Sequence, residues 1–525
     1  MPPTTIPIII DSRLRLALED LPADVVEELK TRCTYDNPAR GKLEKIAKGA
    51  KGRKAIALKY AAAREPETIA TWQVELVSDV ETWLTLPRGA LGKVRDALTY
   101  RALAWSYDDR RSVGSSVRAG REPSAADRIE WTHRPDPSAA DGGKLRWYQE
   151  EAVRACIAKQ NCLLRAPTGS GKTSTLIAII ARLGLRTLVI VDNSELLRQW
   201  TARLRAELGN HRHGIGQIGG GVNVVGAVTV AMRQSLQRWK GDRRQFGVVM
   251  VDEVHRAAAS TFMDIVDRFP SRYRIGASAD ETRADGKEFL VYDIFGEVAH
   301  EVTRDLLIDD GSVLDVECLV VPTDFRADWY VAQRASGQPD FHQLLDEITA
   351  DADRRALVRD LVKSEVDGGE QVLVMAQRVE LCERINAELV AAGVGSDLML
   401  GKVANLERRQ ATLDGLRDGS MKVGVGTVQA VGTGIDIPSV GRGVLTTPLG
   451  SNRQLFGQIR GRLCRPGEGK RAALYVLWDQ WVVGAATLKR MIDWNRVVKV
   501  RATDGTWVDG RAYLKRWKEE NKDGS

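Results

Sequence analysis

Long apolar runs are missing from this 525-residue chain. A transmembrane helix needs about 20 consecutive apolar residues, so no membrane span is expected. The opening MPPTTIPIIIDSR has a short apolar run, but no basic flank precedes it and no small-residue cleavage site follows, so it does not read as a secretory signal. Cysteines are few and scattered. Cys33, Cys156, Cys162, Cys318, Cys382 and Cys464 form no CxxC pair and have no histidine at metal-ligand spacing, which excludes a disulfide framework and a zinc site. A strong charge excess of one sign is absent too: net charge is +7 with a pI near 9.0, compatible with a polyanionic partner without requiring one. These absences leave a reduced, cytoplasmic globular protein, and 43% hydrophobic with 28% charged residues is ordinary for that class.

The length exceeds one core, since domains take roughly 100 to 200 residues, and about three domains are expected. Residues 1–115 read as an N-terminal accessory domain, because the Ser, Gly, Pro and charge-rich stretch over 116–143 (GREPSAAD, HRPDPSAADGGK) punctuates structure like a linker. From residue 144 to 322, apolar runs alternate with amphipathic stretches: NCLLRAP, RTLVIVD, GAVTVAM, FGVVMVDE and YRIGASA read as buried strands between helices. Over 323–485 the pattern returns, with EQVLVMAQ, MKVGVGTV and GRGVLTTP as strands. The fold class is therefore α/β, with two tandem doubly wound parallel-sheet lobes, a small N-terminal domain, and a basic, Trp-containing extension over 486–525.

The segment from Ala166 to Thr173, APTGSGKT, lies between the apolar run Cys162 to Leu164 and the helical stretch STLIAIIARL, the strand-loop-helix setting of a phosphate-binding P-loop. Ala166 stands where the first glycine is usual. Gly169 and Gly171 let backbone N–H groups turn inward, with Pro167, Thr168, Ser170 and Ser174 completing the loop. Lys172 reaches the β- and γ-phosphates, and Thr173 ligates magnesium. A strand end carrying paired acids supplies the other half: in FGVVMVDEVH, Asp252 would hold Mg2+ and Glu253 would deprotonate the attacking water, with His255 coupling the site to movement. Paired carboxylates usually lie solvated at a surface, but these follow five apolar residues.

With DEVH at 252–255 on the page, the chain resembles the superfamily-two helicases, from about Leu145 to Leu477. The resemblance implies RecA-like lobes, ATP and Mg2+ as cofactors, and a nucleic-acid partner. LRWYQEEAV looks like the adenine-sensing motif, with Gln149 on the adenine edge and Trp147 or Tyr148 stacking. LVIVDNSELLRQW and VTVAMRQSL resemble the backbone-contacting motifs, which assigns Arg198, Gln199, Thr229 and Gln234 to nucleic acid. GTVQAVGTGIDIPSV resembles motif V, with Thr427 toward nucleic acid and Gly434 and Asp436 toward nucleotide. QLFGQIRGRLCRPG carries QxxGRxxR as Gln458, Gly461, Arg462 and Arg465, and two guanidinium groups delivered across a cleft would neutralise charge growing on the γ-phosphate. In GASADETRADGK, Ser278 and Ala279 match the usual Ser-Ala-Thr-Pro while Asp280 and Glu281 depart from it. Arg283, Asp285 and Gly286 fit the XPB-like and UvsW-like branch, which works mainly on DNA. The resemblance implies an ATP-dependent DNA helicase or translocase. Two alternatives stay open: the altered motif fits a DNA-annealing protein with ATP as a switch, and phosphate contacts do not distinguish DNA from an RNA track.

The flanks are less specific. GKLEKIAKGAKGRKAIALKYAAAR crowds Lys42, Lys45, Lys48, Lys51, Arg53, Lys54 and Lys59 onto a helical stretch, either a solvated face or a phosphate-tracking surface. TWQVELVSDVETWLTLPRGALGKV has a Pro-Arg-Gly turn loosely similar to the small domain before the motor in the same branch. Trp478 and Trp481 read as core, and Trp517 reads equally as core or as a base-stacking surface.

Overall fold

The structure, a computed structural model, describes residues 5–49, 52–78, 81–114, 129, 131, 144–208, 214–254, 264–279, 286–335, 339–400, 406–432, 439–450, 452–467 and 470–521. It divides into two compact units, residues 1–167 with 171–303, and residues 304–525 with 168–170. No described helix is long and apolar enough to cross a membrane.

The first unit begins with β1 (Ile6–Ile10), β2 (Leu14–Ala17), α1 (Ala23–Arg32), β3 (Thr34–Asp36), α2 (Pro38–Gly49), α3 (Gly52–Arg64), β4 (Thr68–Ala70), β5 (Gln73–Ser78), β6 (Glu81–Leu86), α4 (Leu91–Tyr100) and β7 (Trp105–Asp109). Five of the strands form a sheet in the order β5-β6-β2-β1-β7. Ile8, Leu14, Leu16 and Leu84 from the sheet pack with Leu29 of α1 and Val94 and Leu98 of α4 into a core. Strands β3 and β4 pair separately as an antiparallel ribbon, and α2 and α3 occupy the chain between them.

The sequence presents residues 1–115 as a domain of their own. The structure instead joins them to the first lobe within one unit, and buried polar contacts are the reason. The buried Arg88 guanidinium donates to the carbonyls of Ser271 (2.6 Å) and Arg272 (3.0 Å). A Cβ on Gly89 would sit 2.0 Å from the Tyr292 carbonyl oxygen, so the Pro-Arg-Gly turn must have glycine there. Ser112 bonds backbone to backbone with Pro270 and Arg272.

The first lobe carries β8 (Asn161–Arg165), β9 (Thr187–Val191), β10 (Ile215–Gly219), β11 (Val222–Val224), β12 (Val228–Met232), β13 (Val248–Asp252), β14 (Tyr273–Ser278) and β15 (Val298–Glu301). Its helices are α5 (Trp147–Lys159), α6 (Lys172–Leu183), α7 (Ser194–Leu208), α8 (Arg233–Arg238) and α9 (Glu288–Phe295). The sheet order is β11-β10-β12-β9-β13-β14-β8-β15, parallel throughout except for β11. Strands β9, β13 and β14 are buried at every position, as a parallel sheet covered on both faces requires. Helix α6 starts after left-handed Gly171 and stops at left-handed Gly184, a conformation that suits residues without a Cβ.

The second lobe is built on β16 (Glu317–Thr323), β17 (Val372–Ala376), β18 (Ser396–Met399), β19 (Val423–Thr427), β20 (Arg442–Leu445), β21 (Ala473–Asp479), β22 (Val498–Arg501) and β23 (Trp507–Asp509), in the order β18-β19-β17-β20-β21-β16-β22-β23. Two boundaries differ from the sequence expectation. Glu317–Thr323 lies before 323 yet pairs with β21 and β22, so it belongs to this sheet. The stretch over 486–525 is no separate extension, because β22 and β23 complete the same sheet. Trp517 lies 5.8 Å from Trp478 and 6.3 Å from Trp481 between ring centroids, and its indole N–H donates to Gln480. This packing makes Trp517 part of the lobe and not a free stacking surface.

Candidate active site

Strand order assembles the site. In β13-β14-β8 the strands run parallel, with Asp252 beside Ala277 and Ser278 beside Arg165, so three C-terminal strand ends meet at one edge. Ligands of doubly wound sheets bind outside such ends. The loop from Pro167 to Gly171 leaves β8 there, tied down where the Ala166 N–H donates to the Ser278 carbonyl at 2.9 Å. Gly169 and Gly171 have φ of +93° and +74°, which aims loop N–H groups inward as a phosphate cradle needs. Thr173 follows Lys172 in the first turn of α6.

Lys172 lies between the two acids, its Nζ 2.9 Å from Glu253 Oε1 and 3.6 Å from Asp252 Oδ1. Burial works against the Lys172 ammonium, but the charges of Glu253 and Asp252 outweigh it and raise its pKa. Burial also holds the Asp252 carboxyl above its ordinary value, opposed by Lys172 and aided by the like charge of Glu253. Glu253 adopts φ of +55°, a left-handed backbone that costs a non-glycine residue on the order of 1–3 kcal/mol. The strain turns its side chain from the strand path to the lysine.

Gln149 is 7% exposed at the start of α5. Its Oε1 accepts from Arg146 N at 2.9 Å, and its Nε2 lies 3.4 Å from the Gly171 carbonyl oxygen. The motif glutamine thus touches the loop. Tyr148 is buried and Trp147 half exposed, so of the two aromatics Trp147 is the one placed to stack on a base.

Ser174 differs from the expectation. It is buried, and its hydroxyl donates to Glu207 Oε1 at 3.0 Å and accepts from Arg203 at 2.6 Å, turned toward α7 because the third position of α6 faces the core. Thr229 is the second correction. It is fully buried in a central strand, with Oγ1 against the Gly226 backbone, so it meets no solvent and no nucleic acid. Gln234 is exposed at the start of α8, and Arg198 and Gln199 on α7 both bond Glu195.

In the second lobe, Thr427 caps the short helix Val428–Gly432 by accepting from Ala430 N at 3.2 Å. Gln458 and Arg462 lie on the helix Arg453–Leu463, and Arg465 follows two residues after it. His255, Asp280, Glu281, Arg283, Asp285, Gly434 and Asp436 lie outside the described residues.

These groups fit a nucleoside triphosphate with a divalent cation. Left-handed glycines open the loop backbone, Lys172 would supply a charge for the terminal phosphates, and Asp252 would supply a carboxylate for the metal. Among the described residues no cluster of three or more His, Cys, Asp or Glu forms a metal site without such phosphates.

The comparisons agree. Residues 142–281 match the model "Type III restriction enzyme, res subunit" and residues 353–467 match "Helicase conserved C-terminal domain". A putative DNA 3'-5' helicase Rad25 of Halobacterium salinarum is 30% identical over 340 residues, covering 63% of this chain and 54% of that protein. Helicase-family models thus match both lobes in order, and the chain is similar to superfamily-two helicases of the XPB-like branch. The DNA 3'-5' helicase XPB of Mycobacterium tuberculosis is 27% identical to this chain over 348 residues, covering 64% of the chain and 60% of that protein. A probable helicase of Escherichia phage T5 is 27% identical, covering 59% and 65%. The chain thus spans about 54 to 65% of these relatives' lengths. S. cerevisiae Dbp5 bound to RNA and ADP BeF3 aligns with a TM-score of 0.50 at 15% identity, covering 74% of the chain and 94% of that structure, which shows the shared fold.

Sequence reasoning missed one member of the candidate site. Trp200 on α7 is 2% exposed, and its indole N–H donates to Asp252 Oδ2 at 3.0 Å while Asp252 Oδ1 accepts from Glu253 N. With Leu197 and Leu204 it reads as a core stripe. The available signal was chemical: a buried indole N–H seeks an acceptor.

Proposed function

We propose that this helicase is a nucleic-acid-stimulated ATPase that translocates on DNA, single-stranded or branched, in the 3'-to-5' direction. One observation carries the reading: Lys172, Asp252 and Glu253 converge at the ends of adjacent strands, with Glu253 held in a strained backbone. The printed names of the archaeal and mycobacterial relatives support DNA and the direction. Bound ATP with Mg2+ supplies the phosphoryl group and the charge that positions it. Toward it, the loop N–H groups and Lys172 bind the phosphates, Asp252 and Thr173 hold the metal, Gln149 reads the adenine edge, and Glu253 takes a proton from the attacking water. Trp200 fixes the carboxylate plane of Asp252. Arg462 and Arg465 take the arginine roles of their motif, and Gln458, Gly434 and Asp436 its nucleotide contacts. The biological setting is remodelling of branched DNA in repair, recombination or replication.

The test is steady-state ATP hydrolysis by wild type and Glu253→Gln, alone and with single-stranded DNA, duplex, a fork and RNA. Strong stimulation by a DNA form, lost in the variant, is the expected result. Equal turnover with and without DNA would sink the motor reading, and stimulation by RNA alone would move the track to RNA. A second reading, an annealing protein switched by ATP, is favoured by Asp280 and Glu281 in place of Thr and Pro. Processive opening of a fork rules it out.

A further inference from the structure

The net positive charge of the chain comes from one place. Residues 38–64 contain nine Lys or Arg and one acid, Glu44, a net +8 against +7 for the whole protein, so everything else sums to −1. Those residues are α2 and α3, inserted on the β3–β4 ribbon. Lys42, Lys45 and Lys48 follow one another at three-residue steps on α2, and Lys59 lies on α3, all exposed. Among the described residues no carboxylate is within ion-pair distance of these four. Elsewhere Lys30, Lys159, Lys363 and Lys499 each have one within 3.2 Å. Like charges three or four residues apart weaken a helix, so this pattern opposes stability and calls for a function outside folding.

The base of the insertion is fixed to the first lobe. The Asp293 carboxylate on α9, 2% exposed, accepts from the Tyr35 hydroxyl at 2.8 Å and the Thr71 hydroxyl at 2.6 Å and pairs with Lys93 at 2.9 Å. The Tyr35 ring stacks on Phe289 at 4.1 Å. Tyr35 lies in β3, and Thr71 follows β4 by one residue. Both chain segments at the base of the ribbon are therefore held by one buried acid of the first lobe.

We propose that the α2–α3 pair is an arm that grips the phosphate backbone of duplex DNA without reading its sequence, carried by the first lobe. Each helix is about 18–20 Å long, the span of about five successive phosphates of one duplex strand at about 3.4 Å each. Single-strand binders instead stack bases on several aromatics. The arm has one aromatic, Tyr60, and Arg64 lies over its ring at 4.8 Å. The inference rests on the motor reading above for its DNA track, and no residue of the nucleotide site takes part.

The experiment compares full-length wild type with the variant Lys42→Gln/Lys45→Gln/Lys48→Gln/Lys59→Gln. A second variant, Lys30→Gln/Lys159→Gln/Lys363→Gln/Lys499→Gln, removes equal charge from paired lysines. Fluorescence anisotropy with a labelled blunt duplex and its single strand is read from about 50 to 200 mM salt, and thermal melting confirms folding. The arm variant should lose about 10-fold or more in duplex affinity, and its dependence of log affinity on log salt should flatten by about 0.9 per lost phosphate contact. The second variant should keep the wild-type slope, and ATP turnover without DNA should match wild type in the arm variant. Wild-type affinity and slope in the arm variant overturn the proposal alone and leave the patch to an acidic protein partner. A loss confined to single strands overturns the duplex assignment. Failure of wild type to bind any DNA sinks the motor reading together with the arm.

Discussion

Both lobes bury an aspartate at the C-terminal end of a parallel strand and set a cation against it, and the two pairs differ in what surrounds the cation. In the second lobe Asp479, fully buried at the end of β21, meets Arg354, while the same guanidinium donates twice to the Thr446 carbonyl, at 2.9 and 2.6 Å. Thr323 Oγ1, at the end of the neighbouring strand, donates to Asp479 at 2.6 Å. That arrangement commits its donors to strand ends and ties a helix to a sheet. In the first lobe Lys172 stands on a glycine-turned loop with two carboxylates, and an ammonium on a flexible stem can exchange them for phosphate oxygens. A buried acid at a strand end therefore ties a helix to the sheet in one lobe, and in the other it faces a lysine that its loop leaves able to turn to another anion.

The sharpest break of this comparison is kinetic. Lys172→Ala and Glu253→Gln should each lower ATP turnover by about 10²–10⁴-fold, with the melting temperature of Glu253→Gln near wild type, because a general base or phosphate cation acts mainly on the transition state. Turnover near wild type in either would remove the first lobe's claim to the chemistry. Arg354→Ala should do the reverse. Leaving Asp479 buried without its cation costs on the order of 3–5 kcal/mol, read as a lowered unfolding midpoint, and an unchanged midpoint would make the second pair ornamental.

Gly89→Ala sets a methyl against the Tyr292 carbonyl and should destabilise docking of the N-terminal strands by about 1–3 kcal/mol. Faster proteolysis between that region and the first lobe is the readout. Trp200→Phe keeps an aromatic ring and removes the donor to Asp252, and the loss should be about 10- to 100-fold in kcat, matching the roughly 1.5–3 kcal/mol of a bond to a charged group. An effect on KM for ATP without one on kcat would reassign Trp200 to binding.

The last effect is set by pH and is confined to alkaline conditions. Burial pushes the Cys33 thiol up to about 11 and those of Cys318 and Cys382 up to about 12, from 9.0. A pKa raised on folding contributes stability that is present below the unfolded value and lost as pH rises through the folded one. Stability should therefore hold to about pH 9 and fall between 9 and 12, by at most about 1.4 kcal/mol per unit for each thiol. A thiol reagent at pH 8 should label the unfolded chain and spare the folded one.

The strands legible in the sequence were those with short apolar runs beside a motif: NCLLRAP became β8, FGVVMVDE became β13, and MKVGVGTV became β19. The short edge strands β11 and β23 were not legible, because three residues paired on one side leave no periodicity. ECLVVPT is apolar enough to be a strand, but nothing local says which sheet it enters; pairing with β21 places it in the second lobe. Lys172, Asp252 and Glu253 were legible because phosphate chemistry constrains residue type and spacing. Thr229 was misplaced because a motif match does not reveal which way a strand side chain points, and Ser174 because the helix starts at Lys172, two residues before the stretch read as helical.

Sequence alone determined what local chemistry and local backbone require: the glycines of the loop, the acids after an apolar strand, and the charge concentrated in residues 38–64. Only the tertiary structure decided which groups share a space. Trp200 on Asp252, Asp293 beneath the arm and Arg354 on Asp479 join residues 52, 222 and 125 positions apart or bind ends from different strands. Such partners are chosen by burial, which leaves each polar group without water and obliges it to find a counterpart wherever the fold brings one near.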